Sequence, residues 1–223
     1  MNPLFHFFAK EHWAELAARK IHAAVEETLL QRGVCHVMLT GGRSAANLYA
    51  AWRSLPDFSN LQNVHFYFGD ERCVPPDDPQ SNYGMTMRTL FAHHLPGNCR
   101  IARMEAESGD LDAACTRYAA RLPDRIDILL LGVGEDGHIA SCFPHTPVLS
   151  ERLRKVVPVR NAPKPPSNRM TVTPAVICTA DTRYILALSK QTILEEALSK
   201  PEEIVTMPVR MVTGAHWLMD EVA

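Results

Sequence analysis

Three short segments concentrate the residue types that bind anions and move protons. They are Thr40-Gly41-Gly42-Arg43-Ser44, Gly69-Asp70-Glu71-Arg72 and Gly132-Val133-Gly134-Glu135-Asp136-Gly137-His138. In the first, paired glycines let backbone N–H groups approach an anion, and a following helix points its positive end at the same place. Ser44 adds a hydroxyl donor. The same residues also make an ordinary tight turn, and the segment lacks both the Gly-Lys-Ser/Thr ending of a Walker loop and GxGxxG spacing. In the second, two carboxylates beside an arginine read either as a solvated charge cluster or, directly after a strand, as part of a site. In the third, a turn through Gly137 would set Asp136 against His138. An aspartate that fixes a histidine tautomer makes a competent general base. The alternative there is a polar loop with capping side chains.

These segments need a frame. Residues 10–32 predict a helix, because Trp13, Leu16, Ala17, Ile21, Ala24, Val25 and Leu29 share one face and Gly33 supplies a stop. Residues 34–39 read as a short buried strand ending at the Gly-Gly turn, with a helix over 45–53. Residues 64–68 give a second strand, followed by the polar loop 69–81 and a helix over 82–93. A helix over 111–121 precedes 126–131 (IDILLL), whose nearly unbroken apolar character marks a strand covered on both faces. Residues 169–173, 184–188 and 216–219 predict further strands, with helices around 190–199 and 202–206. The proline-rich stretch 158–166 reads as a surface loop. Strands alternating with helices imply an α/β fold in one domain spanning 1–223, a mostly parallel sheet flanked by helices on both faces, Rossmann-like. In such sheets ligands bind outside the carboxyl ends of the strands, and all three segments leave strands at that edge.

Composition narrows the classes. At 223 residues the chain is long enough for one well-buried domain and short for two. With 23 basic and 25 acidic side chains it carries no excess of positive charge for nucleic acid. Cys35, Cys73, Cys99, Cys115, Cys142 and Cys178 form no CxxC pair, so they read as free thiols in a reducing cytosol, not as a disulfide framework or zinc site. The N-terminus has no basic segment followed by an apolar core, and no apolar run approaches the length of a membrane span. The expectation is a cytoplasmic protein with no metal, no cofactor, no nucleic-acid or membrane partner and no obligate protein partner.

Taken together, the segments resemble 6-phosphogluconolactonases, relatives of the glucosamine-6-phosphate isomerase/deaminase fold. The likeness runs through Leu39-Thr40-Gly41-Gly42-Arg43-Ser44, then Gly69-Asp70-Glu71-Arg72-Cys73-Val74-Pro75 with Ser81-Asn82-Tyr83. It continues through Leu130 to Pro144 (LLGVGEDGHIASCFP) and Lys164 to Thr173 (KPPSNRMTVT), and Pro208-Val209-Arg210 and His216-Trp217 also fit. The order is preserved over nearly the whole chain. Arg43, Ala45, Cys142, His145 and Ala187 depart from common family residues (serine, proline, leucine, glycine and glycine), and none of these changes removes a catalytic group.

The resemblance implies hydrolysis of a sugar-phosphate lactone. His138 would be the base, Asp136 its orienting partner, and Arg72 with backbone N–H groups near Gly41–Gly42 or Gly137 would face the oxyanion or sugar acid. Asp70 joins the substrate-binding set. By resemblance Arg169, Lys190 and the Gly42–Ser44 loop would bind the phosphate. The amino-sugar deaminase branch is the main alternative, and a non-catalytic sugar-phosphate sensor a third. The deaminase pattern carries a glutamate where this chain has Phe143, and Asp-Glu-Tyr where it has Asp70-Glu71-Arg72. Ser141 is not on a nucleophile elbow, since GxSxG is absent.

Overall fold

The computed structural model describes residues 2–92, 94–200 and 202–221. Its larger sheet contains β1 (Leu4–Phe8), β2 (Cys35–Leu39), β3 (Val64–Phe68), β5 (Arg100–Ile101), β6 (Ile128–Gly132), β9 (Thr182–Ala187) and β10 (His216–Asp220). They lie in the order β1-β10-β9-β6-β2-β3-β5, every pairing parallel. The helices are α1 (Trp13–Arg32), α2 (Arg43–Arg53), α3 (Asn82–Thr86), α4 (Leu111–Ala119), α5 (Pro174–Ile177) and α6 (Gln191–Ser199). A second sheet of three antiparallel strands joins β4 (Asp70–Arg72), β8 (Arg169–Val172) and β7 (Val156–Val159).

The strand order explains where a ligand fits. From β2 the chain moves outward to β3 and β5, whereas from β6 it moves the opposite way to β9 and β10. Right-handed crossovers therefore put the two sets of connections on opposite faces. The packing agrees: α1 lies against α2, and α2 against residues 87–91, while α4 lies against β7. The backbones leaving β2 and β6 diverge, which opens a crevice between their carboxyl ends. Buried Trp13, Trp52, Trp217, Tyr49, Phe66 and Phe68 fill the space between sheet and helices.

Two tyrosines secure the strand ends beside that crevice. Tyr49 Oη accepts the Thr40 N–H at 2.9 Å and donates to the Thr40 carbonyl at 2.8 Å. Tyr118 Oη does the same for Phe68, at 2.7 and 2.9 Å. Each satisfies a backbone pair where a strand stops, and burial pushes both phenol pKa values upward. Thr40 Oγ1 also accepts the Gly132 N–H at 3.2 Å, tying β2 to β6 at the crevice.

Several elements differ from the sequence expectation. Residues 169–172 form a strand, but in the antiparallel sheet and not the parallel one. The segment read as one helix over 82–93 is α3 followed by a π-helical turn, Met87–Phe91, that ends at left-handed Ala92 (φ 47°); His93 lies outside the described residues. Thr89 Oγ1 donates to the Met85 carbonyl at 2.8 Å, a back-bond that competes with the helical ladder there. Residues 202–206 make turns instead of a helix. Arg210 donates to the Glu203 carbonyl (3.1 Å) and Thr206 Oγ1 (2.9 Å), so side-chain bonds replace a helical ladder. The stretch 158–166 is not all loop, because Pro158 and Val159 belong to β7. Among the described residues no helix is long and apolar enough to cross a membrane.

Candidate active site

The Gly-Gly turn meets α2 at the crevice. Gly42 is its N-cap with φ 97°, a left-handed conformation that favours glycine, and no side chain caps the helix. Its first N–H groups thus remain available to an anion. Gly41 is required for a different reason: a Cβ there would lie 1.9 Å from Asn82 Oδ1.

The period of two in β4 separates the roles of Asp70, Glu71 and Arg72. Asp70 pairs with Thr171 and Arg72 with Arg169 across the small sheet, so these four side chains share one face. Glu71 points the other way, is buried, and accepts the N–H groups of Asn82 (2.7 Å), Arg72 (2.8 Å) and Tyr83 (2.8 Å) with the Ser81 hydroxyl (3.1 Å). Burial pushes its pKa up against those three backbone bonds. Glu71 thus fixes the start of α3. Asp70, also buried, accepts Ser141 Oγ–H at 2.6 Å and Asn82 Nδ2–H at 3.2 Å. Ser141 is fully buried, and its hydroxyl is committed to that carboxylate.

The third segment folds back on itself. Gly137 N–H donates to the Gly134 carbonyl at 3.0 Å and Gly134 N–H to the His138 carbonyl at 2.9 Å. That turn places Asp136 Oδ1 2.5 Å from His138 Nδ1, leaving Nε2 as the nitrogen free to take a proton. Burial lowers the His138 pKa below its ordinary 6.5, opposed by Asp136. For Asp136 burial pushes upward, but His138 and Lys164 outweigh it and the net shift is down. The Phe143 ring packs 4.5 Å from the His138 ring, supplying an apolar wall.

One cleft is lined by Gly41, Gly42, Arg43, Ser44, Asp70, Arg72, His138, Arg169 and Lys190, nine of the residues singled out from the sequence. Asp136, the tenth, stands behind His138. Arg169 reaches the cleft only by an edge. Its Nη2 donates to the carbonyls of Lys164 (3.1 Å) and Pro165 (3.0 Å), and its Nε to that of Pro166 (2.9 Å). Nη1 lies 3.4 Å from Ser141 Oγ and 3.8 Å from Asp70. Sequence reasoning assigned no role to Asn82, Ser141 or Lys164. Their signal was membership in the same ordered patterns, without a spacing that revealed their contacts. Among the described residues no group of three or more His, Cys, Asp or Glu is arranged to hold a metal ion.

A doubly wound sheet here carries an aspartate-held imidazole and several cations at its switch point, an arrangement that can move a proton beside a bound anion. The chain belongs to the glucosamine-6-phosphate isomerase/6-phosphogluconolactonase family, whose profile matches residues 9–219. A 6-phosphogluconolactonase of Streptomyces coelicolor is 34% identical, covering 96% of this chain and 90% of that protein. That of Mycobacterium tuberculosis is 32% identical, covering 92% and 90%. The crystal structure of a 6-phosphogluconolactonase from Shewanella baltica shares the fold with TM-score 0.84 at 21% identity, covering 98% and 97%. A monomeric glucosamine-6-phosphate deaminase shares it at 0.79 and 22% identity, covering 99% of this chain and 98% of its own, so the fold alone does not separate the two branches.

Proposed function

We propose that this chain hydrolyses 6-phospho-D-glucono-1,5-lactone to 6-phospho-D-gluconate, the lactone-opening step of the oxidative pentose phosphate pathway, as one domain of the cytosol. The observation that carries this reading is the surroundings of His138: an aspartate on Nδ1 and the phenyl ring of Phe143 beside it, where the amino-sugar branch has a carboxylate. A neutral imidazole with a depressed pKa suits a base that activates water near neutral pH. The six free cysteines support a reducing compartment.

His138 Nε2 takes a proton from water as its oxygen attacks the lactone carbonyl. Charge gathers on the carbonyl oxygen, where Arg72 serves as a donor. Its Nη1 is anchored on the Gln80 carbonyl at 2.7 Å, and the side chain lines the cleft. The imidazolium, steadied by Asp136, then returns the proton to the ring oxygen as the C–O bond breaks. The phosphate is held by the N-terminus of α2, Arg43, Ser44, Lys190 and the edge of Arg169 that lines the cleft, and their binding energy orients the distant carbonyl. Purified protein mixed with fresh 6-phosphogluconolactone should release acid well above the spontaneous rate. A rate equal to that of buffer alone overturns the assignment.

A further inference from the structure

Asp136 Oδ1 receives two donors: His138 Nδ1 at 2.5 Å and Lys164 Nζ at 3.1 Å. His138 lines the cleft, whereas Asp136 and Lys164 both stand outside its lining. Lys164 lies in the loop between β7 and β8, and that loop is not free. Buried Arg169 grips the carbonyls of Lys164, Pro165 and Pro166 with its Nη2 and Nε. Arg169 is itself backed by Asp70 at 3.8 Å and by the Phe143 ring, 5.3 Å below its guanidinium. The residue that carries the ammonium is thus clamped by its own backbone, and the ammonium points at the carboxylate that holds the base.

We propose that Lys164 is a positioning residue for the general base: it fixes the Asp136 carboxylate and, through it, sets the ring orientation and working pH range of His138. The inference rests on the reading of His138 as that base. An ion pair as exposed as this one contributes little to stability, so its effect is expected in catalysis and titration instead of folding. The charges around His138 give the sign. Asp136 and Lys164 face it from behind and Asp70 from β4, while Arg72, Arg169 and Lys190 line the same cleft. Burial is the largest influence and favours the neutral ring. Asp136 and Asp70 favour the imidazolium, and Lys164 opposes it. Removing the ammonium therefore raises the His138 pKa, and a base that must be neutral then needs higher pH.

The test compares Lys164→Met with Lys164→Arg. In Lys164→Met the acid limb of the kcat/KM profile for 6-phosphogluconolactone should move to higher pH. Below that limb kcat should drop on the order of tenfold, short of the roughly 10²–10⁴-fold expected for loss of the base itself. KM should stay near wild type, and Lys164→Arg should restore the limb. A raised KM with an unmoved limb would instead place Lys164 on the substrate and overturn the proposal, as would an unchanged profile. NMR titration of the His138 ring in substrate-free protein reads the same link independently of any substrate. The midpoint should rise in Lys164→Met and not in Lys164→Arg, and an unmoved midpoint defeats the inference. His138→Ala tests the underlying reading separately: wild-type turnover there removes histidine from the base role without altering the titration result.

Discussion

Gly134 has no room for a side chain. A Cβ at that position would lie 2.1 Å from both Nδ1 and Cε1 of His138 and 2.7 Å from Asp136 Oδ1. Non-bonded carbon contacts settle near 3.5–4.0 Å, so an alanine methyl must drive the imidazole away by about 1 Å or more. The surrounding turn is closed by bonds of 2.9 and 3.0 Å and cannot absorb that movement cheaply. Gly134 is not among the left-handed glycines, so the alanine backbone itself is acceptable and the protein should fold. A displacement of about 1 Å at a reacting group costs on the order of 10²-fold. Gly134→Ala should therefore lower kcat by about that factor with KM little changed, because the Gly42–Ser44 turn and Lys190 lie on other elements. Acid release from fresh lactone, corrected for spontaneous opening, measures it. Gly109→Ala is the control, since its Cβ meets nothing within 4 Å. A folded Gly134→Ala protein with near-normal kcat would show that the Asp136–His138 contact is dispensable, and the reasoning fails.

Lys190→Ala should lower kcat/KM on the phosphorylated lactone by roughly 10–150-fold, the equivalent of one charge-assisted contact. Gluconolactone hydrolysis should barely change, and equal losses on both substrates in a folded variant would remove Lys190 from the phosphate site. Arg169→Lys behaves differently: an ammonium cannot reproduce the planar fork on the Lys164–Pro166 carbonyls, so activity should fall on both lactones, and further on the phosphorylated one that Arg169 also holds. A loss confined to the phosphorylated substrate would contradict that. Tyr49→Phe leaves the buried Thr40 N–H and carbonyl unpaired and should cost about 2–4 kcal/mol in urea unfolding; an unshifted midpoint would show that the tyrosine clip is not needed.

What could be read from the sequence follows the range of the forces involved. The parallel strands β2, β3, β6, β9 and β10 declare themselves through local apolar runs, and α1 through its buried stripe of Trp13, Ala17, Ile21 and Val25. Orientation is not local. Arg169 to Val172 has the composition of a strand, but whether it joins the parallel sheet or pairs antiparallel with β4 depends on where the chain has already been. β7 was hidden by Pro158, which an edge strand accommodates because it lacks only one donor. β1 (LFHFF) has no clean alternation and is made by pairing with β10, far away in sequence. In the cleft, the glycine turn and the Asp136–His138 pair are short-range geometry, hence visible. The division of labour between Asp70 and Glu71 needed the register of β4, and the Arg169 grip on the Lys164 loop needed the fold itself.

The central claim is the reaction. It is tested most directly by giving one preparation of the protein fresh 6-phosphogluconolactone and, in parallel, glucosamine 6-phosphate, with His138→Ala beside it. The lactone should release acid far faster than it does in buffer, the histidine variant should lose most of that excess, and the amino sugar should release no ammonia. Ammonia release from glucosamine 6-phosphate without accelerated lactone opening would place the chain in the other branch of its family and contradict the account.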